Sequence, residues 1–176
     1  VLELDVVVSE SYDETSNKFV STTQRVHLEH SLASLSKWES VFEKPFLGTD
    51  AKDHEETFAY IEMMVVGPKL TPAVLLELVK THSGEIQSYI NRTMSGTRIS
   101  EVQKQTGSRR ETITSELIYS WMVEMNIPFE TQYWHLNRLI TLIRVISLKR
   151  SPKKKMTAAE RSELNRQRQA MQNTRG

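Results

Sequence analysis

The 176-residue sequence contains no cysteine, which excludes a disulfide framework, a thiolate metal centre and a thiol nucleophile. Glycine is sparse. Gly48, Gly67, Gly84, Gly96 and Gly107 stand singly, and none belongs to a P-loop or a dinucleotide fingerprint, which need closely spaced glycines to bring backbone N–H groups onto phosphate. Long hydrophobic runs are also missing. The most apolar stretch, 136–148, is interrupted by Asn137, Arg138, Thr141, Arg144 and Ser147 and falls short of the roughly 20 residues that cross a bilayer, so no membrane anchor is expected. The first residues, VLELDVVVSE, have neither the basic start, the long apolar stretch nor the small-residue cleavage site of a signal peptide. Export is therefore not expected from these residues.

What is present is an uneven distribution of charge. The formal net charge is only +1. From Lys149 onward, however, nine Lys or Arg face Glu160 and Glu163, whereas the first 148 residues hold 14 bases and 20 acids. An acidic body of net charge −6 therefore carries a basic tail of +7. At this length one domain with a real core is expected, together with that tail.

Alternation in LELDVVV, with Leu2, Leu4, Val6 and Val8, and in RVHLEH, with Val26 and Leu28, has the period of half-buried strands. The polar stretch SESYDETSNK between them predicts a hairpin with a long loop. Helical signals follow. Leu35, Trp38 and Phe42 share one face of SLASLSKWESVFEKP, which Ser31 or Ser34 can cap and Pro45 follows. DAKDHEETFAYIEMM begins with acids suited to a helix N-terminus and ends in Phe58, Ile61, Met64 and Val65. Thr71 and Pro72 open a helix over 71–80, and Ser83 opens another over 83–94. The glycine-containing stretch 93–107 predicts a loop. Ser108 and Glu111 form a capping box for a helix carrying Ile113, Leu117, Ile118, Trp121, Met122 and Met125. Pro128 then starts a helix over 129–148 with Phe129, Leu136, Ile140 and Ile143 on one side and Leu139, Leu142 and Ile146 beside them. So wide an apolar face suits a central helix, or one packed on the body and offered to a partner. The tail can start a helix at Thr157 with Glu160 three residues on, but Leu164 and Met171 are its only later large apolar residues. It cannot fold alone.

The expected fold is therefore α+β, mainly α, with an N-terminal β-hairpin, a bundle of about six helices and a basic C-terminal tail. The hairpin occupies 1–28, the helical body 31–148 and the flexible or partly helical tail 149–176, with 1–148 as one globular domain. No specific catalytic constellation stands out. His27 and His30 lie on opposite faces of a strand, without a carboxylate at ligand spacing. Asp53–Glu56 (DHEE) is explained by the dipole at a solvated helix start rather than by paired-carboxylate chemistry. Ser115, Glu116 and His135 belong to no motif. Neither an enzyme, a metal nor a cofactor is expected. The tail has no aromatic residue for base stacking, which disfavours direct nucleic-acid binding. Met63, Met64, Met122 and Met125 lie near aromatics and suit either a core or a pliable binding surface.

HSLASLSKWESVFEKPFL (30–47) and ITSELIYSWMVEMNIPFETQYWHLNRLITLIRVISLKRSPKKKMT (113–157) resemble a family from the tail-gene region of siphophages that infect Gram-positive bacteria, the tail assembly chaperones. SLSKWES, NIPFE and WHLNRL carry the likeness best. The resemblance implies a non-enzymatic factor of the host cytoplasm that transiently coats the tape measure protein, helps recruit tail tube protein and leaves before the virion matures. A groove for an apolar helix would then use Trp38, Phe42, Trp121, Met122, Met125, Tyr133 and Trp134, each with core packing as its competing role. Lys149, Arg150, Lys153, Lys154 and Lys155 would begin a docking arm. Homo-oligomerisation is compatible with this role. The competing functions are a structural virion or connector component, and a nucleic-acid-binding regulator acting through the tail.

Overall fold

The computed structural model describes residues 1–97 apart from Ser16, residues 112–150, and four positions of the C-terminal stretch, 162, 165, 166 and 169. The fold is α+β and mainly α: an antiparallel hairpin followed, among the described residues, by five α-helices and a short 3-10 helix.

β1 (Leu2–Asp13) and β2 (Lys18–Leu28) form the hairpin. Its root obeys the expected alternation, with Leu4, Val6, Val26 and Leu28 buried. The stretch expected as a long loop is strand instead. Pairing continues from Ser9 opposite Thr22 to Asp13 opposite Lys18, after a register shift between Val7 and Ser9. Asn17 takes the left-handed φ of 51°, which Asn tolerates better than most residues. Thr, Val and aromatic residues suit a strand even where both faces are wet, and cross-strand pairs hold the register. Tyr12 packs edge-on against Phe19 at 5.2 Å. Arg25 Nε donates to Asp5 at 3.0 Å, and this bond holds the Asp5 carboxyl below its usual range.

α1 (Leu32–Phe42) starts at a capping box in which Ser31 and Ser34 each satisfy the other's backbone N–H. It is the hub of the helical part, packing on α2 (His54–Met63), on α4 (Ser115–Glu124) and on the 3-10 helix Phe129–Tyr133. α2 has its own capping box, Asp53 with Glu56. α3 (Pro72–Ile90) packs on β1 and α2. The helices expected over 71–80 and 83–94 are one, namely α3, capped by Thr71. Leu75, Leu78, Ile86 and Tyr89 are buried along it, and that continuous face outweighs the cost of Gly84 in mid-helix, about 1 kcal/mol. A Cβ at Gly84 would meet nothing within 4 Å. Gly84→Ala is therefore expected to raise the unfolding free energy by about 0.8 kcal/mol, a gain that urea denaturation would measure.

Ser108 and Glu111 lie outside the described residues, as do most of the expected loop and Thr157 with Glu160. The helix they were to open begins later, at Ser115, where the Thr114 side chain accepts from Leu117 N. Ile113 precedes it. The helix expected over 129–148 is also divided. After the 3-10 helix, Trp134 and His135 are non-helical, and α5 runs Leu136–Arg150. The break has a tertiary cause: His135 bridges to Ser31, and Leu136 N donates to His30 O at 2.7 Å. α5 is not the central helix. Leu136, Leu139 and Ile143 are buried, but Ile140 and Leu142 are only half-buried and Leu148 is exposed.

The chain divides into two compact units, Val1–Val145 and Ile146–Gly176. The described positions 162, 165, 166 and 169 of the second are helical and exposed.

Candidate partner-binding surface

The seven aromatic and methionine positions separate into two groups. Trp38 and Met122 have no exposed surface and are core residues, not contacts. The Trp38 indole N–H donates to Glu56 O at 2.9 Å, and its ring lies 4.7 Å from the half-buried Phe42 and 5.1 Å from Phe46. Two ammonium groups approach this cluster. Lys52 Nζ is 4.3 Å from the Phe46 ring centroid and 5.7 Å from that of Trp38, and Lys44 Nζ is 5.8 Å from Trp38. Desolvation is the main cause that lowers the Lys52 pKa. Lys44 also pairs with the Glu56 carboxylate. The DHEE segment is thus not a wholly solvated turn: Glu56 is buried because the chain after α1 folds back over it.

The second group lies around the 3-10 helix. Thr131 is buried, and its hydroxyl donates to Pro128 O at 2.7 Å. With the middle of the short helix anchored inward, Phe129 and Tyr133 at its ends are 52% and 65% exposed. Phe129, expected on the core side of a longer helix, is therefore a surface residue. The ring of Tyr119 lies 6.1 Å from that of Phe129, and its hydroxyl donates to Gln132 Oε1 at 2.8 Å. Trp134 is half-buried under the Arg138 guanidinium, which sits 4.1 Å from the ring centroid. Trp121 and Met125 on α4 are half-buried, and Val123 on the same helix is exposed. Phe129, Tyr133 and the half-buried Trp134 thus keep large apolar surface partly in water around one short element, a feature of the kind that suits contact with an apolar partner.

No family model, curated protein or solved structure matches this chain. The surface must be interpreted from its own chemistry.

Lys149 and Arg150 are exposed in the last turn of α5, where the helix dipole favours cations. Lys153, Lys154 and Lys155 lie outside the described residues. Among the described residues no helix is long and apolar enough to cross a membrane, and no group of three or more His, Asp or Glu could hold a metal ion.

Sequence spacing gave no sign of two buried polar arrangements. In the first, Glu39 on α1 accepts from Phe46 N at 2.8 Å and, through its other oxygen, from Ser115 N at 2.7 Å. A carboxylate 76 residues away thus supplies an acceptor at the start of α4, where the dipole also favours it. The second joins His30, Tyr60, Glu29, Tyr89 and His135. His30 Nδ1 is hydrogen-bonded to the Tyr60 hydroxyl at 2.5 Å, Tyr89 donates to Glu29 at 2.7 Å, and His135 Nε2 donates to Tyr89 O at 3.1 Å. The two imidazole rings are 5.2 Å apart. Burial raises both tyrosine pKa values and lowers both histidine values, His30 to about 4. His135 thus faces Tyr89 and His30, while the Ser115 hydroxyl donates to Glu116 at 3.4 Å. The groups of the two buried arrangements are hydrogen-bonded to one another or to backbone, as a structural network requires.

Proposed function

We propose that this chain is a non-enzymatic siphophage tail assembly chaperone that binds the apolar, helical tape measure protein transiently in the host cytoplasm and helps recruit tail tube protein. The observation that carries this reading lies within the segments that bear the family resemblance. There, packing accounts for Trp38, His135, Leu136 and Leu139, which are buried, but not for Phe129 at 52% exposure. Tyr133, between NIPFE and WHLNRL, is exposed as well. Recognition would place apolar side chains of a partner helix against Phe129, Tyr133 and the half-buried Trp121, Met125 and Trp134. Lys149 and Arg150 would add electrostatic contact that weakens as salt rises.

Co-expression with the tape measure protein, followed by size exclusion of the soluble fraction, tests the reading. A chaperone should keep that protein soluble and co-elute with it, and mass spectrometry of purified virions should not find this chain. An insoluble tape measure beside a freely eluting chain would favour a virion component instead. The variant Phe129→Ala/Tyr133→Ala should weaken the complex by roughly 10- to 100-fold, as loss of aromatic anchors does. Its unfolding free energy should change by less than about 1 kcal/mol, because both side chains are already wet.

A further inference from the structure

The hairpin extends well beyond the part of it that is packed. Past Val6 and Val26 its described side chains are exposed: Val7, Val8, Tyr12, Phe19 and Val20 lie between 38% and 76% exposed. Among the described residues the sheet has two strands, so each strand has one edge with no described strand beside it along the arm. At the root of β2 that edge is covered, since Val66 N donates to His27 O and Glu29 N to Met64 O. Main-chain groups alternate sides along an antiparallel strand, so the N–H and C=O of Arg25, Thr23, Ser21 and Phe19 also point to the outer edge. The register then directs those of Glu10, opposite Ser21, to the outer edge of β1.

The two edges differ in charge. β1 contains Glu3, Asp5, Glu10 and Asp13 and no base, while β2 contains Lys18, Arg25 and His27 and no acid. Pairing β1 with β1, or β2 with β2, would set like charges side by side, which destabilises a sheet. Pairing β1 of one copy with β2 of the next would repeat the contact the hairpin already makes within itself, Arg25 to Asp5 at 3.0 Å. It would also extend the Tyr12–Phe19 pair, centroids 5.2 Å apart, into a row of rings shared between copies. Neighbouring hairpins pointing the same way place β2 antiparallel to the next β1, the more stable arrangement.

We infer that the arm is a self-association device in which the outer edge of β1 pairs head-to-tail with the outer edge of β2 of a second copy of this chain. Such a contact is heterologous, so it propagates into a ring or an open array rather than stopping at a symmetric dimer. It is independent of the surface around Phe129 and does not require a tape measure partner.

Sedimentation velocity on the full chain from about 1 µM to about 100 µM tests this, read against the monomer mass of 20.4 kDa. Wild-type protein should sediment as multiples of that mass. Proline at an outward N–H blocks an edge without removing a bond inside the hairpin, so Glu10→Pro blocks β1 and Ser21→Pro blocks β2. Each variant alone should be monomeric, with its helical circular dichroism unchanged, and their mixture should form a 1:1 dimer and nothing larger. A wild-type chain that stays monomeric over the whole range overturns the inference without recourse to any variant. So does a variant that still self-associates with one edge blocked, because that requires like-strand pairing.

Discussion

Trp38→Ala is expected to lower the unfolding free energy by about 4 kcal/mol, the usual cost of removing a fully buried large aromatic. Trp38 has no exposed surface, and its removal would open a cavity at the hub helix α1, between Phe42 and Phe46. The cation–π contacts of Lys44 and Lys52 with the indole would also be lost. Lys52 would remain at the Phe46 ring, 4.3 Å away, and Lys44 would keep its pair with Glu56. Trp38→Phe should cost less, because it refills much of the space and gives up mainly the indole bond to Glu56 O, 2.9 Å long. Urea denaturation of both variants, monitored by far-ultraviolet circular dichroism, checks the order. Since domains are stable by about 5–15 kcal/mol, this loss removes from about a quarter to most of the total, and the unfolding midpoint in urea should fall clearly below that of the wild type. Little loss of stability would mean that Trp38 is not a core residue and would return it to the set of candidate contacts.

Acidification is expected to destabilise the fold before most carboxylates protonate. His30 is buried, and desolvation lowers its pKa from 6.5 to about 4, with the neighbouring His135 adding to the shift. The ring is hydrogen-bonded to the Tyr60 hydroxyl, and protonation would put a charge into the core with no anionic partner beside it in that bond. Between these two values the unfolded chain binds a proton that the folded chain does not, so unfolding free energy rises with pH. The contribution is present above about pH 6.5 and is lost as pH falls toward about 4, amounting to about 3 kcal/mol in all. His135 is lowered too, chiefly by desolvation, and acts in the same direction. Glu29 and Arg92 and the amine of Val1 also act on His135, and Glu29 acts on the two tyrosines, so the upper part of the window, about pH 5 to about pH 6.5, isolates the histidines best. Urea denaturation across that range should show a steady fall in stability on acidification. His30→Gln keeps a hydrogen-bond partner for Tyr60 and removes the titrating ring, and it should flatten the slope. A wild-type profile that is flat over this range would contradict a buried neutral His30.

Local chemistry was enough to place the hairpin root, the caps of α1 and α3, the acidic start of α2 and the mainly α character, because alternation, capping side chains, charge at helix ends and proline act within a few residues. Apolar periodicity nominated Trp38 and Met122 correctly as apolar positions, but it carries no information on whether such a face is covered by the protein or by a partner. The same limitation hid the contrast between Trp38, which is buried, and Tyr133, which is exposed.

Elsewhere long-range contacts overruled local signals. The stretch around Tyr12 and Phe19 lacks apolar alternation and looked like a loop, yet cross-strand pairing makes it strand. Ser83 and Gly84 looked like a boundary, yet a continuous buried face carries α3 through them. Pro128 looked like the start of one long helix, yet the bonds from the 134–136 segment to His30 and Ser31 break it. By itself the sequence determined which segments could be helix or strand and where the charge lies, since those depend on neighbours along the chain. Only the tertiary structure decided that Glu39 serves the start of α4, that His30 meets His135, and that Phe129 stays in water, because each depends on residues far apart in the chain brought within bonding or packing distance.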